Sequence, residues 1–112
     1  MSDSKLVILD PWTLPYIETV DIFIEALHRQ VGPKHPLYRR EVYPVAVRRD
    51  PDAAIYETDD EPKIYALVFL SLSPSAIKRK RGRDPQTVIL ADWQAIQARM
   101  HDDHAAWLAQ FR

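Results

Sequence analysis

In His101-Asp102-Asp103-His104 residue type and spacing come nearest to chemistry in this chain. Two imidazoles three residues apart lie close together on a helix face, and a carboxylate beside them can orient a ring or complete a coordination sphere. A zinc or iron site needs a third protein ligand. His28, His35 and the acidic run Asp59-Asp60-Glu61 are the sources available. The second histidine comes one residue too early for the HExxH arrangement of a metalloprotease. The plainer use of the segment is a polar helix turn, with its acids capping the next stretch of helix and its histidines half exposed. We therefore expect no catalytic residue and no metal or other cofactor. The alternative is a small metal-dependent or acid–base enzyme, with His101 and His104 as ligands or proton carriers and Asp103 or His35 assisting.

Three further clusters have their own alternatives. Lys78-Arg79-Lys80-Arg81-Gly82-Arg83 puts five cations in six positions, enough to neutralise phosphates and bind nucleic acid. No aromatic residue is interleaved for base stacking, so a solvated loop is the expectation. Asp50, Asp52, Glu57, Asp59, Asp60 and Glu61 gather at two turns, where aspartate is favoured for local reasons. With only two glycines in the chain, a calcium loop is not indicated. The third cluster, Pro33-Lys34-His35-Pro36-Leu37-Tyr38-Arg39-Arg40, is a stiff connector. Its two arginines could hold a carboxylate or phosphate through a bidentate fork. Otherwise Leu37 and Tyr38 tuck it onto the core, and His35 bonds to the backbone. Neither a P-loop nor a GxGxxG turn is present, and no GxSxG elbow.

Composition narrows the classes these clusters can serve. A chain of 112 residues fits one domain, 1–112, and can bury a core without staples. The absence of cysteine excludes a disulfide scaffold, a thiolate metal site and a cysteine nucleophile. A net charge of −1 gives no global field for nucleic acid or an anionic membrane. No apolar run approaches the ~20 residues of a spanning helix, and the N-terminal apolar run lacks a basic lead and a cleavage pattern. A cytoplasmic protein without membrane contact is expected.

Periodicity defines the elements that position the clusters. Tyr16, Val20, Phe23 and Leu27, widened by Ile17 and Ile24, make an amphipathic helix. Thr13 is its expected N-cap with Pro15 in the first turn, and Gly32-Pro33 is its stop. Leu6 to Leu9 before it reads as a short strand or an extended arm. Tyr43, Val45 and Val47 alternate with Pro44, Ala46 and Arg48 in a strand that Pro44 confines to an edge or a bulge. Ala53 to Glu57 is a second strand. Ile64 to Leu72 is apolar enough for a third, covered on both faces or lying mid-sheet. Val88-Ile89-Leu90 is a fourth, after a flexible basic loop at about 73–87. Asp92 caps a last helix whose stripe runs from Trp93, Ile96 and Met100 to Trp107, Leu108 and Phe111. A break at Asp102 or Asp103 is the alternative. The expected class is α+β: an antiparallel sheet of three or four strands flanked by N-terminal and C-terminal amphipathic helices.

His35-Pro36-Leu37-Tyr38 after the first helix, Tyr65-Ala66-Leu67-Val68-Phe69-Leu70 in the middle and Asp103-His104-Ala105-Ala106-Trp107 near the end occur in an order that resembles a group of small bacterial α+β proteins. The resemblance implies a single-domain protein of immunity or accessory type, and it carries no site residues. The basic stretch from Lys78 to Arg83 departs from the group.

Opposite charge patches on a nearly neutral protein favour steered protein contacts. We expect a non-enzymatic protein-binding domain with Glu57, Asp59, Asp60 and Glu61 on the partner surface. Nucleic-acid binding through Lys78, Arg79, Lys80, Arg81 and Arg83 is the further alternative. A homodimer through an exposed patch of Trp12, Trp107 and Phe111 is set against internal packing of the same residues.

Overall fold

Alternation at period two builds the centre of the molecule. The computed structural model describes residues 6–49, 51–59, 63–72 and 84–111. Its elements are α1 (Ile17–Gln30), β1 (Val42–Arg48), β2 (Ala53–Thr58), β3 (Tyr65–Phe69), β4 (Thr87–Leu90) and α2 (Trp93–Ala109). The strands pair antiparallel in the order β1-β2-β3-β4. The class is α+β as expected, with four strands among the described residues. Ala54, Tyr56, Ala66 and Val68 pack with Phe23, Ala26 and Leu27 of α1 on one face. Ala53, Ile55 and Leu67 pack with Ile96 and Met100 of α2 and with Trp12 on the other. Coverage of both faces explains why Ile64 to Leu72 reads as nearly continuous hydrophobic sequence.

Pro44 acts as its chemistry requires. Strand β1 is at the edge, and its register slips between Pro44 and Ala46. The slip changes the simple alternation: Val45 and Ala46 both join the α2-side core, while Val47 turns to the α1 side. Arg48 pairs with Ala53 and so faces α2. Beyond β1, the chain before α1 adds a single bridge, with Thr13 and Val47 exchanging backbone bonds of 2.8 and 2.9 Å.

That bridge corrects the expected cap. Thr13 belongs to the sheet margin; Tyr16 is the N-cap of α1 and contributes no side-chain bond. Pro15 biases the residue before it toward extended backbone, which suits a bridge better than a helix entry. Tyr16 and Ile17 are 75% and 84% exposed, so the buried face of α1 begins only at Phe23.

Helix α2 does have Asp92 as its cap, the carboxylate accepting the Ala95 N–H at 2.9 Å. It runs unbroken through Asp102 and Asp103. Ile96 and Met100 are its buried residues; Trp93, Leu108 and Phe111 are exposed. The expected stripe therefore meets the core only in its middle. Trp12 is 1% exposed and does not join Trp107 and Phe111 in a surface patch. Leu6 to Leu9 is not a strand; it is held where the Gln97 side chain bonds Val7 N–H at 2.7 Å and Val7 C=O at 2.9 Å. No helix among the described residues is long and apolar enough to cross a membrane.

Candidate functional site

On α2, the carboxylate of Asp103 is used structurally. Trp12 Nε1–H donates to Oδ2 at 2.8 Å, and Arg99 Nε–H reaches both oxygens at 3.2 and 3.3 Å. Arg48 Nη1 stands 3.8 Å from Oδ2, with its guanidinium 5.7 Å from the Trp12 ring centroid. His104 donates its Nδ1–H to the Asp10 carbonyl at 2.8 Å and stacks on Trp107, whose ring meets Phe111 edge-on. His101, one turn earlier, is exposed. Periodicity presents Arg48 only as a polar position in a strand. It ends β1 beside Arg49, so nothing in the sequence singles it out; the register slip between Pro44 and Ala46 is what sets it opposite Ala53 on the α2 side.

His35 lies away from this group. It is 7% exposed, in the connector after α1. Its Nδ1 accepts the Leu37 N–H at 3.1 Å, which leaves the proton on Nε2 to donate to Thr87 Oγ1 at 2.8 Å. Thr87 Oγ1–H in turn donates to the Pro85 carbonyl at 3.0 Å. Desolvation lowers the pKa of His35 below the ordinary histidine value, and the Asp84 carboxylate opposes that shift. Thr87 pairs with Val68, whose side chain is in the α1-side core. The sheet thus stands between His35 and the pair His101 and His104. Among the described residues no three His, Cys, Asp or Glu side chains are grouped to hold a metal ion.

The charged groups that do converge are at the end of the sheet where β1 begins and β2 finishes. The connector turns tightly, with Tyr38 N–H bonding the His35 carbonyl and Arg40 N–H the Leu37 carbonyl. Leu37, wholly buried, pins it to the α1-side core. Arg39 closes the turn at φ 60, in the left-handed region. For a residue other than glycine that conformation costs about 1–2 kcal/mol. Its guanidinium lies 5.5 Å from the Tyr38 ring centroid. His28 of α1 donates Nε2–H to the Arg40 carbonyl at 3.3 Å. Asp59 N–H then bonds the Glu41 carbonyl at 3.0 Å, holding the end of β2 against the connector.

Two shallow basins result. One of about 500 Å³ is lined by His28, Tyr38, Arg39, Arg40 and Glu41. Its neighbour of about 370 Å³ is lined by Arg39, Arg40, Glu41 and Asp59. Of the expected partner-binding acids, Asp59 is exposed on this surface and Glu57 is half buried in β2; Asp60 and Glu61 lie outside the described residues. So does the whole basic set Lys78, Arg79, Lys80, Arg81 and Arg83, and with it most of the loop expected at 73–87. Glu41 and His28 carry no signal of this placement in the sequence, because their juxtaposition depends on the turn at Arg39.

No family model, no curated protein and no solved structure matches the chain.

Proposed function

We propose that this chain is a non-catalytic protein-binding domain of immunity or accessory type, which meets a partner through the charged end of its sheet. The observation that carries this reading is the bond between Asp59 N–H and the Glu41 carbonyl. It sets Asp59 beside Arg39, Arg40 and Glu41, so one surface holds both signs of charge around shallow basins. Alternating charge of this kind suits another protein surface, where complementary pairs set orientation and association rate. A phosphate backbone would meet the acids as repulsion. Glu57, Asp59, Asp60 and Glu61 would face basic residues of the partner.

The polar atoms most suited to catalysis support the same reading by being engaged elsewhere. Asp103 serves Trp12 and Arg99, and His35 bridges Leu37 and Thr87. The test is affinity capture from the source organism with the unaltered chain and with a variant carrying Glu57→Gln, Asp59→Asn, Asp60→Asn and Glu61→Gln. A stoichiometric protein retained by the first and lost by the second is expected. Equal retention would discard this surface, and a metal held by His101 and His104 would replace the reading with an enzyme.

A further inference from the structure

We propose that Arg39 anchors a carboxylate-binding site in the larger basin, and that its ligand is a peptide carboxylate of the partner. This inference rests on the protein-binding reading for the source of the carboxylate; the existence of the site can be tested without a partner.

Three observations converge on Arg39. It occupies a left-handed position that glycine would fill without strain. Strained backbone of this kind is concentrated where a side chain must be presented for use. Second, the guanidinium lies against the Tyr38 ring, which limits its orientations while its in-plane N–H donors stay available. Third, Arg39 is exposed and has no ion-pair partner among the described residues, whereas Arg29, Arg48, Arg49 and Arg99 each face a carboxylate. A forked donor set against an aromatic face, without an ion-pair partner among the described residues and on a basin of about 500 Å³, is suited to a planar oxyanion.

The rest of the lining selects among oxyanions. His28 and Arg40 add polar and cationic wall, and Tyr38 adds an apolar one. Glu41 lines the same basin, and Asp59 the adjoining one. With these carboxylates nearby, a singly charged group is accepted and a doubly charged phosphate is opposed. A peptide terminus brings one negative charge and an apolar side chain to set against Tyr38.

Backbone amide shifts of the whole chain, followed by NMR during titration, test the site. The probes are N-acetyl-leucine, its neutral amide, acetate and inorganic phosphate. N-acetyl-leucine should shift residues 38–41 saturably, with a Kd on the order of millimolar. The amide should bind at least tenfold more weakly, and acetate several-fold more weakly. Arg39→Gly should weaken N-acetyl-leucine at least tenfold while leaving amide shifts outside the basin in place. Arg39→Lys, which keeps the charge and loses the fork, should fall between.

Absence of saturation, equal binding of the amide, or a preference for phosphate would each overturn the carboxylate site. Acetate matching N-acetyl-leucine would overturn the peptide as its source. If the probes fail while the acid-neutralised variant still loses a partner, the carboxylate site is wrong and the protein-binding reading survives. If the probes bind and no partner is captured, the reverse holds.

Discussion

Trp12 and Asp103, 91 residues apart in sequence, are joined by an indole-to-carboxylate hydrogen bond of 2.8 Å. It fixes the segment before α1 to the middle of α2, and Arg48 and Arg99 close on the same carboxylate. Charge-assisted bonds of this kind contribute about 1.5–3 kcal/mol each, and more is lost when a partner stays buried. Asp103→Asn retains an acceptor for Trp12 and removes the charge facing two guanidiniums. It should destabilise by about 2–3 kcal/mol in denaturant unfolding. Arg48→Met should cost less, because Arg48 Nε is a buried donor without a hydrogen-bond partner among the described residues. A midpoint unchanged in Asp103→Asn would reduce the cluster to a surface network.

His35 makes stability depend on pH. Its folded pKa is lowered, chiefly by desolvation, so the unfolded chain binds its proton more readily. Stability from this residue is complete above the unfolded value of about 6.5 and declines as pH falls below it, until the folded pKa is reached. Unfolding followed from pH 8 to pH 5 should show that decline, and His35→Gln should remove the part due to this residue. Thr87→Val leaves Nε2–H buried without its acceptor and should cost about 1–3 kcal/mol at pH 7.5. A pH slope unaffected by His35→Gln would assign the dependence to other groups.

The sheet is legible in the sequence because its signals are local. Pro44 announces an edge or a bulge, and the apolar run at Ile64 a strand covered on both faces or lying mid-sheet. Asp92 stands where a cap must stand. The start of α1 is misleading because Thr13 and Pro15 imitate a helix entry, whereas Val47, 34 residues on, claims the Thr13 backbone. The exposed ends of both helices are equally hidden, since periodicity says which residues share a face and not how far the sheet extends beneath it. The charged basins depend on a left-handed arginine and a tertiary bond from Asp59 to Glu41. Neither leaves a mark in composition or spacing.

Helix α2 changes from core to surface along its length, and substitution should reveal the change. Met100 is fully buried, so Met100→Ala should cost about 2–5 kcal/mol. Trp107 is half buried and contacts His104 and Phe111, neighbours in sequence. Trp107→Ala should cost under about 1.5 kcal/mol, the scale of an aromatic pair. Comparable losses in thermal or denaturant unfolding would mean that the end of α2 is part of the core.

Arg39 should respond to substitution by conformation before chemistry. Glycine relieves about 1–2 kcal/mol of left-handed strain and adds about 0.5–1 kcal/mol of unfolded-state entropy. Arg39→Gly should therefore leave stability unchanged or raise it slightly. Arg39→Val, β-branched at the same φ, should lower it by about 1 kcal/mol or more. Equal stabilities of the two variants in urea would show that the turn does not hold this residue in the left-handed region.

A protein partner seated on the charged end of the sheet would shield the backbone there from solvent. Hydrogen exchange of the chain, alone and with its co-purified partner, reads that shielding residue by residue. Slowed exchange at 39–41 and 57–63 is expected, with 101–111 unaffected. Protection confined to 101–111, with the charged end exchanging as in the free chain, would overturn the proposed binding surface.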